Sequence, residues 1–335
     1  MAPRATGLTV AVTGPTGTFG FGLLPLLEAD PRIARVVGIA RRPFDPLAHG
    51  WSKMTYRQGD VRDPDSLEGA FAGAEVVVHL AFLVASTAPR DVTRTINVDG
   101  TLNAVRAAAA AGARRFVYAS SVAAYGFHAD NPVGMDEDWP TRPAAHLGYA
   151  QDKAELEQLL AEEVAAHPGL GLYLLRPPIV LGPHSVGGKD LLRGPLAAAG
   201  TRLIAGVRRL PVRLPLPVAP LPMQLIHEED VGRAFLQCVV AAGPPGSYNI
   251  AADDVVTGAD IARALGVTPL PAPTALVRGA ARAVAALPGT PPAMAWAEAL
   301  THPAIMDTSK AKAQLGWSPR HSALDALQAG VASIS

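Results

Sequence analysis

The sequence predicts an α/β protein with a Rossmann-like, doubly wound parallel sheet and a smaller C-terminal substrate-binding lobe. Short apolar segments alternate with helical patterns through the first half of the chain, as expected for parallel strands covered by helices on both faces. A glycine-rich segment follows the first of these strands, and proline and glycine become dense in the second half. We therefore assign residues 1–177 to the Rossmann domain, to which 223–250 are predicted to return, and 178–335 to the smaller lobe.

The predicted strands are apolar on both sides and five to seven residues long. They are LTVAV (8–12), VVGIA (36–40), EVVVHLA (75–81), RFVYAS (115–120) and LYLLRP (172–177). Helical patterns lie between them, for example over 19–30 and 100–112. Beyond a Pro-rich stretch at 208–222, the pattern predicts a helix over 228–243 and a strand over 247–252.

The segment TGPTGTFG, residues 13–20, lies between the first strand and the first helix. Its three glycines permit a sharp turn, close approach of a pyrophosphate and close packing of the helix on the sheet. The helix N-terminus offers N–H groups and partial positive charge to phosphates, although Pro15 has no N–H to donate. The segment predicts a dinucleotide site formed by Gly14, Thr16, Gly17, Thr18, Phe19 and Gly20.

The end of the second strand bears on which dinucleotide binds. A carboxylate is expected there when the 2′-hydroxyl of NAD is bound. This chain instead has Ala40 followed by Arg41 and Arg42, and guanidinium groups suit a 2′-phosphate. The pair could also be an ordinary solvated surface pair. The sequence favours NADP(H) and leaves NAD(H) open.

Three polar residues are predicted to meet at the carboxyl ends of the strands, where ligands bind in such sheets. Ser121 follows the strand at 115–120, and Tyr149 precedes Lys153 by one helical turn in GYAQDK. A tyrosine can exchange a proton with a hydroxyl or carbonyl oxygen if a nearby lysine lowers its pKa, and Ser121 can hold the same oxygen. The Tyr-x-x-x-Lys spacing alone also fits an ordinary helix surface, so the prediction depends on the glycine segment.

Composition excludes several function classes. The 335 residues include 29 Lys and Arg and 29 Asp and Glu, and this balance gives no basic excess for nucleic acid or an anionic membrane. The single Cys238 lies in an apolar helical pattern and cannot form an intrachain disulfide. The chain has no signal peptide and no membrane-spanning segment, so we expect a cytoplasmic protein that acts on a small molecule, with no metal site.

Taken together, these segments resemble the extended short-chain dehydrogenase/reductase family, which includes nucleotide-sugar epimerases and dehydratases. The resemblance covers nearly the whole chain and depends on motifs that occur in the family's order. They are TGPTGTFG (13–20), GDVRD (59–63), HLA (79–81), NVDGT (97–101), YASSVAAYG (118–126), YAQDK (149–153), LRPPIVLGP (175–183), HEEDVGRAF (227–235) and DTSKAKAQLGW (307–317).

The resemblance implies roles for the matching residues. Ser121, Tyr149 and Lys153 would be catalytic, with Asn97 supporting them, and Lys153 would also hold the ribose. The implied cofactor contacts are Asp60 and Val61 at the adenine, Leu80 and Ala81 in the cleft, and Pro178 and Ile179 beside the nicotinamide. Ser120 would be structural, and His227 and Asp230 would organise the interface between the lobes. The helices over 100–112 and 146–166 resemble those that pair in family homodimers.

One departure from the family bears on the substrate. Sugar-nucleotide members often carry a diphosphate-binding arginine where this chain has Met223. The predicted pocket is lined by Phe82, Val84, Ser121, Tyr149 and Met223, with covers from 82–90, 184–194 and 208–222. These apolar segments favour a weakly charged ketone or secondary alcohol. A nucleotide-sugar epimerase or dehydratase, and a non-catalytic dinucleotide-binding regulator, are the alternatives.

Overall fold

The structure, a computed structural model, describes residues 7–84, 88–185, 215–285 and 302–333. Its strands are Leu8–Thr13 (β1), Ile33–Ala40 (β2), Met54–Gln58 (β3), Val76–His79 (β4), Arg115–Ala119 (β5), Gly171–Arg176 (β6), Ile179–Leu181 (β7), Pro215–Val218 (β8), Pro222–Met223 (β9), Leu225–His227 (β10), Gly246–Asn249 (β11), Val256–Thr257 (β12) and Thr268–Pro271 (β13). Its α-helices are Thr18–Ala29 (α1), Pro64–Phe71 (α2), Arg90–Arg94 (α3), Gly100–Ala110 (α4), Gly148–Ala165 (α5), Glu228–Val239 (α6), Gly258–Ala264 (α7), Thr274–Ala285 (α8), Ser309–Leu315 (α9) and Ala323–Ala332 (α10).

The central sheet has the strand order β11-β6-β5-β4-β1-β2-β3 within the described residues, and every neighbouring pair is parallel. The chain runs outward from β1 to β3 in one direction and from β4 to β6 in the other. The carboxyl ends of β1 and β4 therefore lie side by side where the order reverses. This arrangement confirms the predicted doubly wound parallel sheet.

Both faces of the sheet are covered by helices, as the apolar strands predict. In β1, Val10 and Val12 pack into one hydrophobic cluster while Ala11 packs into the other. Helices α1 and α6 pack very closely on the first face. A Cβ on Gly22 would lie 2.1 Å from the Glu228 carbonyl oxygen, and a Cβ on Gly232 would lie 2.0 Å from the Gly22 carbonyl oxygen. Glycine is thus required at both positions.

Strand β3 was not predicted from the sequence. It lies at the edge of the sheet next to β2, and its residues Thr55, Arg57 and Gln58 are exposed. An edge strand with one solvated side need not be apolar, so MTYRQ lacks the pattern that marks the buried strands.

The smaller structural elements follow β6. They include the pairs β7–β10 and β8–β13, which are parallel, and β9–β12, which is antiparallel. Strand β11 then returns to the edge of the central sheet beside β6. The division at residue 177 stays a prediction, and the parts of the predicted cover at 85–87, 186–194 and 208–214 lie outside the described residues.

Asp230 joins α6 to the C-terminal segment. Its buried carboxylate accepts hydrogen bonds from the backbone N–H groups of Arg320 and His321, both at 2.9 Å, and from the Arg233 guanidinium at 3.1 Å. The Asp230 carbonyl also accepts from the Trp317 indole at 2.9 Å. These contacts are structural, in agreement with the role that the family resemblance implies.

Helices α4 and α5 occupy the region where family homodimers were expected to pair. Their bounds agree with the predicted helices to within two residues, but the dimer itself stays a prediction. Among the helices of the described residues, none has both the length and the apolarity needed to cross a bilayer.

Candidate active site

Ser121 and Tyr149 meet at the carboxyl end of β5. Ser121 lies two residues beyond the end of that strand, and its Oγ accepts from the Ala123 N–H at 3.1 Å at the start of a short 3₁₀ turn. Tyr149 is the second residue of α5 and forms a hydrogen bond with the Ser121 hydroxyl. The two hydroxyl groups are therefore close enough to contact one substrate oxygen.

Burial controls the acidity of Tyr149. Removal from water raises the pKa of Tyr149 to about 12, and the hydrogen bond from Ser121 opposes this only in part. Tyr149 is therefore a protonated phenol at neutral pH. It can donate a proton without prior activation, whereas acting as a base requires that its pKa fall.

Lys153 lies one turn further along α5 and is only 2% exposed. Its Nζ donates to the Ala119 carbonyl at 2.6 Å and to the Tyr118 hydroxyl at 3.1 Å, and it lies 3.4 Å from the centre of the Phe82 ring. Burial lowers the pKa of Lys153 well below its usual range. The nearby carboxylates of Glu157 and Asp152 oppose that shift.

The expected effect of Lys153 on Tyr149 is not found in this structure. We predicted that the lysine lowers the pKa of Tyr149, yet the pKa of Tyr149 is raised. The ammonium lies 5.7 Å from the centre of the Tyr149 ring and faces Phe82 and the backbone of β5 instead. The prediction was wrong because helical spacing does not show which neighbour the ammonium faces.

The glycine segment has the shape that a pyrophosphate needs. Gly14 has φ +67°, and a Cβ there would lie 2.8 Å from the Ala81 backbone. Gly17 has φ −90°, which any residue adopts, and its Cβ would meet only the Gly14 carbonyl oxygen at 3.5 Å. Protein packing therefore requires glycine at Gly14 but not at Gly17, where a glycine instead leaves room for a ligand.

Helix α1 begins within this segment, with Thr18, Phe19 and Gly20 as its first residues. Its first residue has no side-chain cap, and its first turn has no acidic residue. The N-terminal N–H groups and the positive end of the helix dipole favour an anion at this turn. Thr16 lies inside the turn that leads to these groups, so the predicted donors form one continuous stretch of backbone.

His79 positions the other side of the cleft. The Thr101 hydroxyl donates its hydrogen to the Asn97 carbonyl and lies 3.0 Å from His79 Nε2. Because this hydroxyl has no second hydrogen, it accepts a hydrogen bond from the histidine. The ring proton of His79 is therefore on Nε2. Nδ1 then accepts from Thr13 Oγ1 at 2.8 Å, and this oxygen accepts from the N–H groups of Leu80 and Ala81. Burial lowers the pKa of His79 to about 3, so this neutral histidine fixes Leu80 and Ala81 beside the glycine segment.

Asn97 positions the loop that follows β4. Its side-chain oxygen accepts from the Leu83 N–H at 2.8 Å, and its amide donates to the Leu83 carbonyl at 3.1 Å. The side chain is completely buried. These contacts support a positioning role for Asn97, as the family resemblance implies, and not direct contact with the substrate.

Arg41 and Arg42 lie at the exposed end of β2. The Tyr56 hydroxyl donates to the carbonyls of Ala40 and Arg42, and the Gln58 amide donates to that of Arg41. These bonds fix the backbone while both arginine side chains remain exposed. The end of the strand is therefore rigid and positively charged.

The remaining predicted cofactor contacts follow the carboxyl ends of β3 and β6. The Asp60 carboxylate pairs with Arg62 at 2.7 Å, and this hydrogen bond keeps the pKa of Asp60 below its usual range. Val61 is buried, and a Cβ on Gly100 would lie 2.5 Å from it. Pro178 is buried, whereas Ile179 is 37% exposed and pairs with Leu225.

The predicted substrate residues have different positions. Phe82 packs edge-on against Tyr149, with 5.5 Å between ring centres, and Val84 is exposed. Met223 pairs with Val256 and packs against a separate apolar cluster that includes Leu225 and Leu327. Phe82 is thus beside the candidate catalytic residues, and the role of Met223 in substrate binding stays a prediction.

Comparison with known proteins identifies the family. Residues 10–251 match the profile of the NAD dependent epimerase/dehydratase family. The chain belongs to this family. A protein of Sinorhizobium fredii is 26% identical over 335 residues, covering 94% of this chain and 75% of its own length. An Escherichia coli O157:H7 N-acetyl-α-D-glucosaminyl-diphospho-ditrans,octacis-undecaprenol 4-epimerase is 31% identical over 180 residues, 53% of this chain and 50% of that protein.

Solved structures of epimerase/dehydratase-like proteins share the fold. WbmG from Bordetella bronchiseptica in complex with NAD has a TM-score of 0.70 at 20% identity, covering 99% of this chain and 96% of that one. A UDP-glucose 4-epimerase from Thermotoga maritima, with UDP-glucose, has a TM-score of 0.72 at 19% identity, covering 97% and 98%. At these identities the likeness shows that this chain has the same Rossmann-type fold.

Sequence reasoning missed a buried ion network beside the site. Arg176, at the end of β6, donates to both oxygens of Glu157, at 2.9 and 2.5 Å, and to the Tyr125 hydroxyl at 2.6 Å. Ser120 donates to the same Glu157 at 2.5 Å, so Ser120 is structural, as expected. An arginine ending an apolar strand and a glutamate one turn after Lys153 were the available signals.

His227 immediately precedes α6. Its ring centre is 4.1 Å from that of His321, and Glu229 Oε2 lies 3.2 Å from His321 Nε2. His227 Nδ1 accepts from the Glu229 N–H at 3.3 Å and thereby caps α6. Burial lowers the pKa of His227, which favours the neutral ring that this cap requires.

Proposed function

We propose that this protein transfers hydride between a nicotinamide dinucleotide and a carbon that alternates between secondary alcohol and ketone. The proposal depends on one observation. The hydroxyls of Ser121 and Tyr149 are hydrogen-bonded to each other and lie near Lys153, at the carboxyl ends of the strands, where the glycine segment also leads into α1. This combination unites a proton donor, an oxygen-binding hydroxyl and a phosphate-binding helix in one cleft.

Each residue has a distinct part in the proposed step. A bound nicotinamide ring supplies the hydride for reduction or accepts it in oxidation. In reduction, Tyr149 gives its phenolic proton to the carbonyl oxygen as the C–H bond forms, and in oxidation it takes the proton back from the hydroxyl. Ser121 donates a hydrogen bond to the same oxygen, and Lys153 stabilises the phenolate that Tyr149 becomes.

The net reaction favoured by the family relatives is epimerisation. In that case the substrate carbon is oxidised and then reduced from its other face, so the dinucleotide is regenerated and need not leave. The undecaprenyl-diphosphate sugar epimerase among the relatives makes a sugar joined to an apolar carrier a specific candidate. Such a substrate would suit the apolar segments predicted to cover the pocket.

The second candidate is an oxidoreductase for a weakly charged ketone or secondary alcohol. Met223 favours it, because a thioether cannot form the charge-assisted bonds that a diphosphate requires. An oxidoreductase must exchange its dinucleotide in every turnover. A non-catalytic regulator is disfavoured because Ser121, Tyr149 and Lys153 are all present.

Cofactor use distinguishes the two reactions. We expect an epimerase to interconvert sugars without net change at 340 nm, and an oxidoreductase to consume one dinucleotide per product. The purified protein would be assayed with UDP-sugars, a polyprenyl-diphosphate sugar, and apolar ketones with NADPH or NADH. If no sugar is interconverted and no deuterium from 4-deuterated NADH or NADPH reaches a ketone, the hydride-transfer proposal loses its support.

We further propose that Arg41 and Arg42 give a preference for NADP(H) over NAD(H). Replacing both with alanine should weaken NADPH binding by about 10- to 100-fold, the loss expected for one or two charged hydrogen bonds, and should leave NADH binding nearly unchanged. Fluorescence titration of both cofactors measures the effect. Arg35→Ala, which removes an exposed arginine further from the carboxyl end of β2, is the matched control. Equal or tighter NADH binding by the unmutated protein would show that the arginines do not select the phosphate.

A further inference from the structure

Phe82 lies against the Lys153 ammonium, which is also hydrogen-bonded to β5. Two Nζ hydrogens are directed at the Ala119 carbonyl and the Tyr118 hydroxyl. The Phe82 ring lies over the same nitrogen, with its centre 3.4 Å away. This distance is typical of a close cation–π contact, which is strongest when the cation is removed from water.

The same ring also contacts Tyr149. The two rings meet edge to face, at an interplanar angle of 87°, a favourable geometry for aromatic pairs. Phe82 therefore contacts both members of the proposed Tyr149–Lys153 pair. A ligand hydroxyl cannot approach the Lys153 ammonium from this side until the ring moves.

The backbone around Phe82 is fixed, so the movement must be in its side chain. Asn97 binds both backbone groups of Leu83, and Thr13 Oγ1 binds the N–H of Ala81. The Phe82 side chain itself is only half-buried, and the neighbouring Val84 is 49% exposed. Rotation about the Cα–Cβ bond can thus swing the ring away without unfolding the loop.

We infer that Phe82 competes with the dinucleotide for Lys153 and sets how tightly the cofactor is held. This inference rests on the proposed function, in which the dinucleotide occupies the cleft beside Lys153. Binding must break the ring's contacts with Lys153 and Tyr149, so Phe82 weakens affinity and speeds release. A readily exchanged dinucleotide suits an oxidoreductase better than an epimerase that retains its cofactor.

Removal of the ring should tighten cofactor binding. We expect Phe82→Ala to lower the Kd for NADH and NADPH by about 10- to 100-fold and to slow dissociation, with Phe82→Leu intermediate because it keeps bulk without a cation–π contact. Leu83→Ala is the matched control, since its side chain packs into the core beneath the loop. Fluorescence titration and stopped-flow displacement measure both quantities. Unchanged or weaker binding by Phe82→Ala, relative to Leu83→Ala, would overturn the inference.

A second measurement tests the cover without any cofactor. Trace acetylation of lysines, mapped by mass spectrometry, should modify Lys153 at least tenfold faster in Phe82→Ala than in the unmutated protein or Leu83→Ala. Unchanged labelling would show that the ring does not shield the amine and would overturn the inference. Faster labelling combined with no dinucleotide binding to any variant would instead refute the proposed function, and the competition with it.

Discussion

Replacing Tyr149 with phenylalanine should reduce turnover by roughly 10²- to 10⁴-fold, the contribution of a positioned general acid or base. The change removes the proton that the substrate oxygen exchanges and keeps the ring that packs against Phe82. Cofactor affinity should therefore stay within about twofold of the unmutated value. Steady-state kinetics on the identified substrate, together with cofactor titration, would separate the two effects.

Tyr173→Phe is a suitable control for this variant. Tyr173 is a buried tyrosine on the neighbouring strand β6, and its hydroxyl donates to the Gly243 carbonyl at 2.9 Å, away from the cleft. Loss of that hydroxyl should affect stability slightly and turnover little. If Tyr149→Phe turned over substrate as fast as Tyr173→Phe, Tyr149 would have no part in proton transfer.

The pH dependence should also differ between the two directions of the reaction. Since burial raises the pKa of Tyr149 to about 12, the phenol is protonated across the neutral range. Carbonyl reduction uses the protonated form and should be nearly independent of pH between 6 and 9. Alcohol oxidation uses the phenolate, whose fraction grows as pH rises toward the pKa, so its kcat/KM should increase with pH. Tyr149→Phe should abolish this dependence.

The fold could be predicted because its signals are local. The buried strands β1, β2, β4, β5 and β6 are apolar on both faces, and the glycine segment marks the transition from β1 to α1. Strand β3 escaped prediction because an edge strand tolerates polar residues. The predicted proximity of Ser121 to Tyr149 agrees with the structure because parallel strands end at one sheet edge, so their relative positions follow from topology.

The electrostatics of the site could not be predicted in the same way. Helical spacing brings Lys153 near Tyr149, but whether the ammonium acts on the phenol depends on Phe82, which comes from a loop 71 residues earlier in the chain. The Glu157–Arg176 pair was missed for a related reason. Its two halves lie on different elements, and only packing shows that both are buried. Long-range contacts of this kind have no fixed spacing in the sequence.

Breaking the Glu157–Arg176 pair should produce the largest loss of stability. Arg176→Met removes the guanidinium and leaves the Glu157 carboxylate, 7% exposed, without its charged partner. Loss of one partner of a buried ion pair costs about 3–5 kcal/mol. The Tyr125 hydroxyl and the Glu137 carbonyl lose a donor at the same time. We expect a clear fall in the midpoint of urea unfolding.

Arg106→Met provides the matched control for this prediction. Arg106 pairs with Glu163 between α4 and α5, but its side chain is 57% exposed, and such surface pairs contribute about 0–1 kcal/mol. The double change Glu157→Met with Arg176→Met should recover part of the loss, because it leaves no unpaired charge. If Arg176→Met cost no more than Arg106→Met, burial would not make this ion pair important for stability. The network would then serve chiefly to hold Ser120, and through it Ser121, in position beside Tyr149.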